Sequence, residues 1–267
     1  MYISINNENI FASNGGKDFD SEKKCIIFIH GAGMDHTIWS QQSRYFANKG
    51  YSVIALDLMG HGQSLGRASD DVKFIAKTVS KVINQLKIKE AVVVGHSLGA
   101  LISIELAKID NKIVSELVLL GVCMPMRVSD ELLSNAKNNS QDAFRFITMW
   151  GHSNFSHLGQ NIVPGVWLTG TSMKLLESSA KGVLFSDLIA VKNYDENNEL
   201  LQNILCPTLL ICGSEDMMTP IKNIEALDNN INKLSKIVIP NCGHMMMLEE
   251  PDIVRSEIAS FLGYHKA

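Results

Sequence analysis

Six short, largely apolar runs recur along the 267-residue chain with helical patterns between them, and this alternation constrains the fold more than any other feature. The runs are Cys25–Ile29, Val53–Leu56, Ala91–Val94, Leu117–Leu120, Thr208–Cys212 and Lys236–Ile239. They are nearly continuous rather than alternating with polar residues, the pattern of strands covered on both faces of a parallel sheet. Between the second and third runs, Val72, Ile75, Ala76, Val79, Val82, Ile83 and Leu86 fall at helical spacing. They follow Ser69-Asp70-Asp71, which suits an N-cap and the positive end of a helix dipole. Leu98–Lys108 and Pro251–Leu262 read as further helices. The expected class is α/β, a mostly parallel, doubly wound sheet. The first dozen residues read as a polar-edged hairpin, with a loop at Asn14-Gly15-Gly16.

Between about Cys123 and Ala190 the alternation stops. The pattern there is helical, irregular and rich in Met, Trp, Ser and Asn, with a loop expected around Asn161–Gly165. Strand character resumes after Leu205-Cys206-Pro207. One sheet domain carrying an insertion after Leu117–Leu120 accounts for this.

Composition narrows the function classes. With 46% hydrophobic residues and a mean hydropathy of +0.07 the chain can bury a sizeable core. Lys and Arg number 24 against 28 Asp and Glu, a net charge of −4. That leaves no basic footprint for nucleic acid and no polybasic segment for an anionic membrane. Five cysteines without a Cys-x-x-Cys pair make disulfide frameworks and zinc sites unexpected and fit a reducing compartment. The N-terminus lacks a signal-peptide pattern. The longest apolar region, Leu98 to Ala107, is too short for a bilayer. We expect a soluble, cytoplasmic protein with no membrane span. Oligomeric state is not legible.

Gly95-His96-Ser97-Leu98-Gly99 follows an expected strand and opens an expected helix. Such a corner forces strained backbone on its central residue, needs small neighbours and leaves the serine Oγ exposed. The helix also aims its free N–H groups at the same point. His30-Gly31-Ala32-Gly33 follows the strand Cys25–Ile29. Alone it is an ordinary glycine turn; beside Ser97 it completes an oxyanion hole with the N–H groups of Ala32 and Leu98. A serine nucleophile needs a base, and the base an orienting acid. Gly213-Ser214-Glu215-Asp216 and Asn241-Cys242-Gly243-His244 each follow a strand, on the sheet edge that carries Ser97. The order Ser, acid, His is the one that this architecture uses.

These segments, with Asp57-Leu58-Met59-Gly60-His61-Gly62-Gln63-Ser64 and Gly243-His244 leading to Glu249-Glu250-Pro251, resemble the α/β-hydrolase superfamily, in its capped, esterase-like branch. The resemblance covers nearly the whole chain. It implies an α/β-hydrolase core at residues 1–121 and 196–267 and a helical cap at 122–195. It places the acid on Asp216 rather than Glu215, and puts Asp57 in a tight structural turn, Asp57 as the acid remaining a minor alternative. It makes His30 and His96 structural or supporting. Loop or surface roles are expected for His36, His61, His152, His157 and His265, and a turn role for Asp35. His152 and His157 are too loose a pair for a metal site, so no metal or cofactor is expected. Met217, Met218 and Met245–Met247 flank the acid and the histidine. A Met-filled core would account for them, but their nearness to the acid and the histidine favours an adaptable acyl pocket, with Met217 and Met245 binding substrate.

The expected activity is hydrolysis of a small-molecule carboxylic ester by Ser97, His244 and Asp216 through an acyl-enzyme. Carbon–carbon bond hydrolysis, acyl transfer to an alcohol or peroxide, and a binding or signalling role with little turnover are the alternatives. Ser97 at the elbow argues against haloalkane dehalogenase and epoxide hydrolase chemistry, which use an Asp there.

Overall fold

The apolar runs form the strands of one eight-stranded sheet in the computed structural model, which describes residues 1–160, 162, 164–194 and 198–263. In chain order the strands are β1 (Tyr2–Ile5), β2 (Glu8–Ser13), β3 (Cys25–Ile29), β4 (Ser52–Leu56), β5 (Ala91–His96), β6 (Val114–Leu120), β7 (Thr208–Gly213) and β8 (Leu234–Ile239). Across the sheet they run β1-β2-β4-β3-β5-β6-β7-β8. β1 and β2 pair antiparallel, as do β2 and β4, and every later pair is parallel. The class is therefore the expected α/β one. The terminal hairpin turns at Asn6-Asn7, both at positive φ (51° and 68°), the geometry that matches strand twist in a two-residue turn. Asn14-Gly15-Gly16 lies beyond β2 instead.

The helices are α1 (Ser40–Asn48), α2 (Val72–Gln85), α3 (Leu98–Ile109), α4 (Asp130–Lys137), α5 (Gln141–Gly151), α6 (Asn154–His157), α7 (Leu168–Ser178), α8 (Val183–Asn193), α9 (Glu225–Asn230), α10 (Met246–Glu249) and α11 (Pro251–Phe261). Asp71 caps α2 by accepting from the N–H groups of Lys73 and Phe74. α4 to α8 all fall between β6 and β7. The loop expected at Asn161–Gly165 includes positions outside the described residues. α1 has no counterpart in the sequence reading because half of its buried face is polar: Gln42 and Ser43 join Phe46 and Ala47.

Two cores explain the continuous strands. Cys25, Ile27 and Ile29 of β3 point into a cluster with α2 and α3, whereas Ile26 and Phe28 point into another with α1 and α11. β5 divides the same way, Ala91 and Val93 against Val92 and Val94. With both faces of β3 and β5 covered, an exposed polar face has no place in them; β8, at the sheet edge, departs from the expected double burial, with Lys236 and Val238 exposed. The strand order reverses between β3 and β5, where Ile29 sits opposite Gly95. A crevice at the carboxyl ends of the strands is expected at such a reversal.

Candidate active site

Ser97 occupies the single residue between β5 and α3 and adopts φ 55°, ψ −118°, a region costly for a residue with a side chain. The neighbouring glycines permit it. A Cβ at Gly95 would run into the Gly99 carbonyl and Ser103 Oγ, and one at Gly99 into the carbonyls of Ile29 and His30. Leu98 is the first residue of α3, so its N–H has no partner within the helix. Ala32 lies in the loop after β3, and both Ala32 and Ser97 line one cavity.

Asp216 and His244 follow β7 and β8 and meet beneath that cavity. His244 Nδ1 lies 2.8 Å from Asp216 Oδ2, with both residues buried. Asp216 is held on every side. Its Oδ1 accepts from the N–H groups of Met218 (2.9 Å) and Thr219 (2.7 Å), and Thr219 Oγ1 donates to Oδ2 at 2.6 Å. Burial opposes the charge of Asp216, but His244 and Thr219 outweigh it and hold the carboxyl down at about 2. Thr219 is a site residue absent from the sequence reading, although Asp-x-x-Thr spacing is a local side-chain-to-backbone turn signature. Gly121, at φ +57°, is another: a Cβ there would lie 2.9 Å from the His244 ring.

His96 donates from Nε2 to the His244 carbonyl at 3.0 Å, and the two rings are 4.6 Å apart. Burial and the neighbouring His244 push His96 well below its ordinary value, so it is a neutral brace. His30 is likewise neutral, pushed to about 4 by burial and His61. Glu215 does not join the pair; its Oε2 accepts from the Asn154 N–H instead. Asp57 braces a turn, taking the N–H groups of His36 and Gln63 and the His36 ring. Asp35 caps the 3-10 turn His36–Trp39 through Thr37. Ligand atoms of Asp35, His36 and Asp57 approach within 4.8 Å of one another, and these protein bonds engage them.

Two histidines expected in loops or on the surface are buried. His61 pairs with Asp187 at 2.8 Å. His152 contacts Ser172 Oγ at 2.8 Å through Nε2 and is pushed to about 3 by burial and by His157 and His244. The partner of each lies well along the chain, Asp187 of the insertion for His61 and Ser172, twenty residues on within the insertion itself, for His152. His36 and His157 are both half-buried, while His265 lies outside the described residues.

The cavity beside Ser97 and His244 has a volume of about 460 Å³, within the usual range for small-molecule sites. Its walls are mainly apolar: Met34, Phe146, Trp150 and Leu188 contribute, with Met217 and Met245. Met217 is exposed at the rim and Met245 is buried. The insertion forms one side and is bonded to the loops opposite. The Met245 N–H donates to the Gly151 carbonyl at 2.9 Å. Glu249 accepts from the N–H groups of Ser153 (2.9 Å) and Gly243 (3.1 Å) and from Ser156 Oγ (2.8 Å). Cys123 and Cys212 are pushed up to about 12 by burial and by Asp216, so neither offers a thiolate. No described helix is long and apolar enough to cross a membrane.

Comparison with known proteins agrees with this architecture. A putative esterase/lipase of Mycoplasma pneumoniae is 27% identical over 252 residues, 89% of this chain and 88% of that one. A non-heme chloroperoxidase of Burkholderia pyrrocinia is 27% identical over 264 residues, 89% of this chain and 91% of that one. Among solved structures, a thermophilic esterase superposes with a TM-score of 0.82 at 26% identity, covering 98% of this chain and 96% of the other. The family model for the alpha/beta hydrolase family matches residues 26–257, from the strand before the Ala32 loop through the loop of His244 into α11. The sheet order, the serine corner between β5 and α3 and this match give one answer: the chain belongs to the alpha/beta hydrolase family.

Proposed function

We propose that the chain is a serine hydrolase that cleaves a carboxylic ester through an acyl-enzyme on Ser97, with residues 122–195 as the cap over the substrate. The observation that carries this reading is the buried Asp216–His244 pair beneath the cavity that Ser97 enters. Because Nδ1 of His244 donates to Asp216, Nε2 keeps a lone pair to take the Ser97 proton as Oγ attacks the ester carbonyl. The N–H groups of Ala32 and Leu98 receive the oxyanion. The imidazolium then protonates the leaving alcohol, and water releases the acid by the reverse steps. Apolar walls favour an apolar acyl group, with Met217 and Met245 adapting to its shape. The relatives named as esterases support the reaction class.

The test is hydrolysis of aryl esters of graded acyl length, alongside labelling by a serine-directed phosphonate. Ser97→Ala should lose labelling and about 10⁶ in kcat while keeping wild-type circular dichroism. Hydrogen peroxide belongs in the panel as a competing nucleophile, because one relative is named a chloroperoxidase. A folded Ser97→Ala protein that hydrolyses esters at the wild-type rate would refute the mechanism.

A further inference from the structure

The loop that presents Ala32 has no regular secondary structure, so other groups must set its direction. The Ala32 N–H shares a planar peptide with the Gly31 carbonyl. That carbonyl is held by the Met34 N–H at 3.2 Å and by His30 Nδ1 at 2.9 Å. His30 donates from Nδ1, since its Nε2 accepts from the Leu58 N–H at 3.1 Å. The next peptide, Ala32–Gly33, is held by a residue far along the chain. The Gly33 N–H donates to Asp187 Oδ2 at 2.7 Å, and Asp187 belongs to α8 of the insertion.

Asp187 is buried, and so is its other partner, His61. His61 Nε2 lies 2.8 Å from Asp187 Oδ2 and its Nδ1 3.1 Å from the Met59 carbonyl. Both ring nitrogens face oxygens that only accept, so each must carry a hydrogen and the ring is an imidazolium. Burial opposes this charge, but Asp187 outweighs it and raises His61 above its ordinary value, with Asp57 adding to the effect. The facing His30 ring, 4.8 Å away, is neutral and adds no repulsion. One carboxylate oxygen thus serves both a cation and the backbone of the oxyanion loop.

We propose that Asp187 is a positioning residue for the oxyanion hole, holding the Ala32–Gly33 peptide from the cap while paired with His61. The proposal rests on the serine-hydrolase reading above. It makes the cap part of the machinery that receives charge in the transition state, besides a wall for substrate. Its effect therefore falls on kcat. Losing one oxyanion donor typically costs 10²–10³ in rate, and a donor displaced rather than removed costs less.

Asp187→Asn keeps the size of the side chain and one accepting oxygen but removes the charge. We expect kcat for an aryl ester to fall about 10- to 100-fold with KM within about twofold. His61→Gln should lower kcat similarly, and the double variant should be little worse than either single one, because the two act as one unit. Wild-type kcat should also decline at alkaline pH as His61 loses its proton, a limb that His61→Gln lacks. This profile needs no Asp187 variant and stands if Asp187→Asn does not fold. Ser97→Ala measured in parallel separates the two ideas. If it stays active, the hydrolase reading falls and the proposal with it. If it is inactive while folded Asp187→Asn keeps wild-type kcat, or the losses for Asp187→Asn and His61→Gln simply multiply, the proposal alone is wrong.

Discussion

Replacing Glu249 by Gln tests how firmly the insertion is fastened to the histidine loop. Three donors converge on this buried carboxylate: the Ser153 N–H, Ser156 Oγ and the Gly243 N–H. A glutamine oxygen can serve the first two, but its NH₂ then faces the Gly243 N–H, and a buried backbone donor loses its partner. One orphaned donor costs about 1–3 kcal/mol, and losing charge-assisted bonds to the other two adds about 1 kcal/mol. The expected loss is about 2–4 kcal/mol, or a Tm lower by about 5–12 °C for a domain of this size. Glu249→Leu would orphan all three donors and cost a large part of a domain's total stability, so glutamine is the more informative change. The assay is denaturant unfolding followed by circular dichroism, with kcat measured under native conditions, because Gly243 precedes His244. Glu250→Gln is the control; Glu250 is half-buried and should stay within about 0.5 kcal/mol. A Glu249→Gln protein as stable as the control would refute the reasoning.

The remaining predictions concern the acid and its support. Asp216→Asn should cost up to about 10⁴ in kcat by favouring the wrong tautomer of His244, whereas Asp57→Asn should act on stability; the reverse pattern in folded proteins would move the acid to Asp57. Thr219→Val removes the 2.6 Å bond to Asp216 and should lower kcat about tenfold or more, as expected for a hydrogen bond to a charged group; an unchanged kcat would remove Thr219 from the site. Because the folded value of Asp216 is depressed from 3.8 to about 2, its contribution is full above the unfolded value and is lost as pH falls through the folded one. The stability gap between wild type and Asp216→Asn should narrow by about 1 kcal/mol from about pH 5 to about pH 3, and a gap independent of pH over that interval would contradict the depressed value.

What could be read from the sequence was local. Strands buried on both faces announce themselves by continuous apolar runs, and α2 by its period and its Asp71 cap. The corner at Ser97 is legible because Gly95 and Gly99 lie within two residues of it, where close backbone approach admits nothing larger. Asp216 and His244 could be named because each follows a strand end, and parallel strands bring their carboxyl ends to one edge. α1 escaped notice because Gln42 sits on its buried face, where it donates to the Met247 carbonyl at 2.8 Å, a partner far along the chain. The same reason hid the supports of the site. His61 looks like any turn histidine until Asp187 arrives 126 residues later. Glu249 gains its role only when Ser153 and Ser156 of the insertion fold onto it. Periodicity and turn chemistry act over a few residues and are written in the order of the chain. Burial of a charge depends on which surfaces meet, and only the packing of the insertion against the sheet edge decided that.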